Sequence, residues 1–84
     1  MLPLGSRPQN STHYNGIMDI VKRVGINIRK IRNKKGWSQE KLSFAANLHR
    51  AYIGQIERGE KAIGIKNLEI IANALSVNIT EFLK

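Results

Sequence analysis

The sequence has no cysteine and only six acidic residues, and its two prolines, Pro3 and Pro8, both fall near the N-terminus. Without cysteine there is neither a disulfide framework nor a thiolate metal site. The two histidines, His13 and His49, lie far apart and share no ligand-like spacing. No apolar run approaches the ~20 residues that a helix needs to cross a bilayer, and the N-terminus lacks the basic, apolar, small-residue order of a secretory signal. There is no phosphate-cradling glycine loop, no metal-ligand cluster and no nucleophile–base pair at a recognisable spacing. No enzyme activity, metal, cofactor or small-molecule ligand is therefore expected. Nothing alternates with period two for long enough to form a strand, and no internal repeat is visible.

What is present is basic charge and helical periodicity. The 84 residues amount to one small domain, with 14 Lys and Arg giving a formal net charge of +8. Such a balance favours an acidic partner: nucleic acid, an anionic membrane or an acidic protein. The basic residues are not confined to one strongly amphipathic segment, which argues against a helix lying on a membrane surface. The absence of cysteine and of a signal fits a bacterial cytoplasm, close to the nucleoid. Residues 1–17 carry Pro3, Gly5, Pro8, Asn10, Asn15 and Gly16 and no apolar periodicity, so they are expected to be a flexible leader, with Met18 an alternative start. Of all the basic residues only Arg7 lies in this leader, and the charge belongs to the domain expected over 18–84.

From Asp19 the pattern turns helical. Val21, Val24, Ile28 and Ile31 recur at three- and four-residue steps and define one face. Gly36 is a natural stop with cations in the preceding turn. Ser38 is placed to cap a second helix that runs to Ala46, with Trp37 packing as a staple just before it. Asn47 adopts left-handed backbone at lower cost than most residues and closes that helix. A third helix is predicted over His49 to Arg58, burying Ile53 and Ile56 and ending at Gly59. A fourth carries the stripe Ile65, Leu68, Ala72 and Leu75, with Ile71 beside it. Ser76 and Asn78 break it, and Ile79 to Leu83 forms a short fifth helix capped by Asn78. The expected fold is all-α, five helices around one core.

Residues Gln39 to Arg58, QEKLSFAANLHRAYIGQIER, carry the functional signal. Two helices joined tightly enough for the second to project into a DNA major groove need apolar contacts at fixed offsets and a turn tolerant of positive φ. Leu42 and Ala46, Leu48, Ile53 and Ile56, and Asn47 supply them. Here the sequence resembles the phage-repressor-like, xenobiotic-response-element class of helix-turn-helix regulators. The matching pieces are IRKIRNKKGWSQEKL at 28–42, LHRAYIGQIERG at 48–59 and IKNLEIIANAL at 65–75. Within the class it is similar to the controller proteins of restriction–modification systems, through His49-Arg50-Ala51-Tyr52-Ile53 and the short fifth helix. Ser43 and Asn47 stand where the class usually has alanine and often glycine. Ala51 and Gly54 replace more usual hydroxyl residues, and a mid-helix glycine costs about 1 kcal/mol relative to alanine.

The resemblance implies a sequence-specific regulator that binds double-stranded DNA, with residues 49–58 as its recognition helix. Arg50, Gln55 and His49 become candidate base contacts, since guanidinium and amide groups match base edges in the major groove. Ser38 and Gln39 at a helix N-terminus, with Tyr52, Arg58, Lys61 and Asn67, become candidate phosphate contacts. Arg32 and Glu57 are expected to form a buried ion pair joining the first helix to the end of the third. One recognition helix reads too few base pairs to find one site in a genome. A symmetric homodimer on a palindromic operator is therefore expected, joined through Ile79, Phe82 and Leu83. The competing reading is an antitoxin-type module that holds a protein partner and also binds its own operator.

Overall fold

The computed structural model describes the backbone of residues 8–84 and side chains from residue 19 onward. Four α-helices run in chain order: α1 Pro8–Lys34, α2 Gln39–Ala46, α3 Arg50–Glu57 and α4 Ile65–Leu75, followed by a 3-10 helix at Ile79–Leu83. Among the described residues there is no strand, and the expected all-α fold is the one found.

Helix α1 starts at Pro8, not near Asp19 where the apolar periodicity begins. Proline suits the first position of a helix, where its fixed φ is already helical and its missing N–H has no partner to lose. The backbone of residues 8–17 is thus continuous with α1, while residues 1–7 of the expected leader lie outside the described residues. Further along, Val24 and Ile28 are buried and Ile31 packs against the core, as their spacing predicts. The expected capping interactions are present too. Ser38 Oγ accepts from the Lys41 N–H at 3.0 Å, and Asn78 Oδ1 accepts from the Thr80 N–H at 2.9 Å.

All four α-helices end in the same way. Gly36, Asn47, Gly59 and Ser76 each take positive φ. The residue after each returns its N–H to a carbonyl five positions back, as in Trp37 to Arg32 and Val77 to Ala72, both 3.0 Å. This paired closure satisfies carbonyls that the helix leaves open and reverses the chain within a few residues. It explains how a short chain makes four sharp turns without long loops. Ser76 is the strained member, since a side chain in the left-handed region clashes with its own backbone.

The core is Val24, Ile28, Leu42, Ala46, Ile53, Ile56, Leu68, Ile71, Ala72, Leu75 and Phe82, drawn from every element. Two expectations are corrected here. Ile65, placed on the α4 stripe by its spacing, is 80 % exposed, and Ile71 is fully buried. Ile65 lies on the flank of the stripe and in the first turn, whereas Ile71 lies between Leu68 and Leu75. Phe82, expected at a dimer surface, is also fully buried within the single chain. The 3-10 helix packs on α1, and Asn27 Nδ2 donates to the carbonyls of Phe82 and Lys84 at 2.9 and 3.1 Å. That side chain clamps the C-terminus down and drives the Phe82 ring into the core. Leu83 remains 45 % exposed.

Candidate DNA-binding face

The position of α3 is set from beneath. Ile53 and Ile56 are buried, and Gly25 of α1 sits directly under the end of the helix, where a Cβ would collide with the Ile56 carbonyl oxygen. Close helix approach at a glycine was not legible in the periodicity, because Gly25 looks like a mild helix weakener inside an apolar stripe.

The expected ion pair is present. Arg32 Nε and Nη2 donate to the two carboxylate oxygens of Glu57 at 2.6 and 2.8 Å. Both side chains are buried, with 8 % of Arg32 and 1 % of Glu57 exposed. Hydrogen bonding to Glu57, and then its charge, raises the Arg32 pKa above its already high value against the opposing effect of burial. Two further contacts extend the pair into a network. Arg32 Nη1 donates to the Trp37 carbonyl at 2.7 Å, and Gln39 Nε2 donates to Glu57 Oε1 at 3.0 Å. The network therefore ties α1, the α1–α2 turn, the start of α2 and the end of α3 into one unit. Among the described residues no buried side-chain nitrogen or oxygen lacks a partner.

With its inner face so fixed, α3 turns Arg50, Ala51 and Gln55 outward. An open concavity lies over this face, lined by His49, Arg50, Gln55, Gln39 and Arg58, with Ala51 and Gly54 between them. All three candidate base contacts thus share one surface with two of the candidate phosphate contacts. His49 is the α3 N-cap residue by backbone position, and its side chain makes no capping bond. At the adjacent N-terminus of α2, Ser38 occupies the N–H of Lys41 with its hydroxyl and the N–H of Leu42 with its carbonyl. The first amides, Gln39 and Glu40, are left to face outward, as a helix start leaves them.

Three other candidates gather at the opposite flank of α3. Asn67 Nδ2 donates to the Tyr52 hydroxyl oxygen at 3.0 Å, and Lys61 Nζ stands 5.7 Å from the centre of the Tyr52 ring. The Tyr52 oxygen is engaged as an acceptor, which leaves its proton free to donate. Asn67 is thereby tied to Tyr52, so it supports the neighbouring side chain rather than standing free. Arg58 pairs with Glu60 through Nε at 2.8 Å and Nη2 at 3.1 Å, both residues being exposed. These bonds raise the Arg58 pKa, and they hold the Glu60 carboxyl below its usual range.

Sequence reasoning missed a further feature of this face. Trp37, expected as a staple, packs against the core and also carries Lys35 and Lys41 at 5.5 and 5.2 Å from its ring centre. Cations over an indole face are held electrostatically, so two positive charges stand beside the α2 N-terminus. The spacing of a tryptophan two residues after one lysine and four before another was the available signal.

Comparison with known proteins fits this geometry. A helix-turn-helix family model matches residues 28–82. The control protein C.SmaI of Serratia marcescens is 39 % identical over 66 residues, covering 79 % of each chain. The crystal structure of the restriction-modification controller protein C.AhdI from Aeromonas hydrophila superposes with a TM-score of 0.72 at 38 % identity, covering 76 % of this chain and 96 % of that one. The controller protein C.Esp1396I, solved as a tetramer with its natural 35 base-pair operator, matches with a TM-score of 0.68 at 40 % identity, covering 77 % of this chain and 96 % of that one. On a family match through α2, α3 and α4 and on relatives aligned over most of both chains, the protein belongs to the helix-turn-helix family of transcriptional regulators and is similar within it to the controller proteins of restriction–modification systems.

Proposed function

We propose that this protein is a bacterial transcription regulator that lays α3 in the major groove of a palindromic operator as a homodimer. The observation that carries the reading is the concave face of α3. It brings His49, Arg50 and Gln55 together with Gln39 and Arg58 over a helix locked by the Arg32–Glu57 pair. Arg50, Gln55 and His49 address base edges, and the Tyr52–Asn67–Lys61 cluster, Arg58 and the Ser38–Gln39 helix start address the phosphates on either side. The protein works without a cofactor and is not an enzyme. Among the described residues there is no group of metal-binding side chains and no helix long and apolar enough to cross a membrane. Residence in the cytoplasm at the nucleoid goes with this role.

A twofold dimer doubles the readout and imposes half-sites about 34 Å apart, or a multiple of that. With Phe82 in the core, the surface for it comes from Leu83 and half-buried Ile79. Glu81 of the same segment borders a cleft whose apolar lining is Ile31, Leu75 and Val77, with Lys34, Lys35 and Ser76 at its polar side. The operator of 35 base pairs in the C.Esp1396I complex is more than three turns of duplex, enough for two such dimers side by side. Residues 1–17 lie outside the family match, and we assign them no part in DNA recognition.

Selection of bound sites from random duplexes tests the reading, with sedimentation of the wild type and Leu83→Asp alongside. An inverted repeat should be enriched, and Leu83→Asp should sediment as a monomer and lose tight binding. A wild type that is monomeric at micromolar concentration and binds a non-palindromic site tightly would end the dimer proposal. An antitoxin-type role has one observation in its favour, the exposure of Phe44 on α2 at 89 %. Phe44→Ser should leave operator binding intact if that surface serves a protein partner.

A further inference from the structure

The recognition helix carries two positions where a side chain is nearly missing, and both lie in the concavity. Ala51 is exposed in the first turn of α3, and Gly54 lies one turn further on. Positions 51, 54, 55 and 58 fall on one helical face. The exposed Ala51 methyl therefore forms an apolar floor, walled by Arg50, Gln55 and Arg58, while Gly54 itself is buried. The far wall is held in place. A Cβ at Gly54 would stand 3.0 Å from Arg58 Nη1, so that guanidinium crosses the space Gly54 leaves open. Glu60 fixes it there through the other two guanidinium nitrogens.

The floor offers neither donor nor acceptor from a side chain, and that restricts what it can face. In the major groove adenine and guanine present an N7 acceptor, cytosine presents an amino donor, and thymine alone presents a methyl group. A purine N7 or a cytosine amine set against the Ala51 methyl would lose its water and gain no partner. A thymine methyl would bury apolar surface against apolar surface. We propose that Ala51 is a specificity-determining residue that receives the C5-methyl group of a thymine, in the base pair beside the one contacted by Arg50. The inference rests on the DNA-binding reading above and deepens it.

The test separates the two. Sites are first selected from random thymine-containing duplexes. Each thymine of the enriched site is then replaced singly by deoxyuridine, symmetrically in both half-sites, which removes only the methyl group. One position beside the Arg50-dependent base pair should weaken wild-type binding about fourfold per half-site, the effect of exposing one buried carbon, and about fifteenfold for the pair. In Ala51→Gly that same replacement should make no difference. Thermal melting establishes that this variant is folded. Gly54→Ala displaces Arg58 and should weaken binding to every duplex while the uridine-sensitive position stays where it was. An enriched site with no uridine-sensitive thymine, or one whose sensitivity survives in Ala51→Gly, overturns the assignment of Ala51. Failure to enrich any site overturns the DNA-binding reading itself.

Discussion

Replacing Glu57 by glutamine keeps the shape of the side chain and removes its charge, at a position where three donors converge. Glu57 accepts from Arg32 Nε and Nη2 and from Gln39 Nε2 at 2.6, 2.8 and 3.0 Å. Glutamine offers one carbonyl oxygen, so its amide nitrogen must face one of these donors. The Arg32 guanidinium, its side chain 8 % exposed, then keeps its charge without a counter-ion. Breaking a buried pair in this way costs about 3–5 kcal/mol. A domain of this size holds roughly 4–13 kcal/mol in total, at about 0.05–0.15 kcal/mol per residue. The loss is thus a large part of what keeps the protein folded. For a domain of this size it lowers Tm by roughly 12–40 °C, at about 4–8 °C per kcal/mol. Circular dichroism melts and urea midpoints of wild type and Glu57→Gln measure it. Gln39→Ala supplies the contrast, since it removes one hydrogen bond and leaves the ion pair intact, at about 0.5–1.5 kcal/mol. If Glu57→Gln melts within a few degrees of wild type, the pair does not hold α3 to α1 and the locked-helix argument fails with it.

Arg50→Ala should relax preference at one base position per half-site and cost about 1–3 kcal/mol on the preferred sequence, whereas Lys61→Ala should weaken all duplexes alike and flatten the salt dependence. Equal loss on specific and random DNA would make Arg50 a phosphate ligand. Ser76→Gly should stabilise the fold by about 0.5–1 kcal/mol, because glycine tolerates the left-handed backbone that Ser76 is forced to adopt at φ 60°; an unchanged urea midpoint would show that no strain is stored there. The Glu60 carboxyl should titrate below the usual glutamate range and move back up in Arg58→Gln, as followed by carboxyl chemical shifts. Because its folded-state pKa is depressed, the stabilisation from this exposed pair is present above the unfolded value, about pH 4.3, and fades as pH falls through the lower folded value. In Glu60→Gln the same release of Arg58 should strengthen binding to every duplex, since a carboxylate no longer competes with phosphate.

The features legible in the sequence were those set by local chemistry. Ser38 and Asn78 announced caps because a short polar side chain reaches an amide two or three residues on, and both are found capping. Asn47 and Gly59 announced turns because few residues take positive φ cheaply, and both do so. The outward face of α3 followed from Ile53 and Ile56 pointing inward, which fixes Arg50, Ala51 and Gln55 by elimination on a 3.6-residue period. The Arg32–Glu57 pair, 25 residues apart in the chain, came from the family resemblance and not from any local pattern. Contacts without a local signature were missed. Gln39 reaching back to Glu57, Asn27 clamping the C-terminal carbonyls and Gly25 admitting the end of α3 depend on how elements pack. Composition and spacing do not encode that.

Phe82 shows why apolar spacing at a chain end cannot by itself separate a core residue from an interface residue. Ile79, Phe82 and Leu83 form a cluster that would serve either purpose, and the hydrophobic effect favours covering it by any available surface. What decides is the depth of the neighbouring groove. Here α1 and α4 leave space that the Phe82 ring fills completely, while Leu83, one residue on, is turned outward with 45 % of its surface exposed. The two positions therefore have different consequences when altered. Phe82→Ala opens a cavity in the monomer and costs about 3–5 kcal/mol of folding free energy whatever the oligomeric state. Leu83→Asp leaves the monomer core untouched and acts on whatever covers that leucine. In the dimer we propose, joined at this end, the two α3 helices would be placed through a chain of contacts from Leu83 through Phe82 and Asn27 into α1. From α1 the Arg32–Glu57 pair leads on to α3, so in that proposed dimer the spacing of half-sites would depend on the same side chains that hold the monomer together.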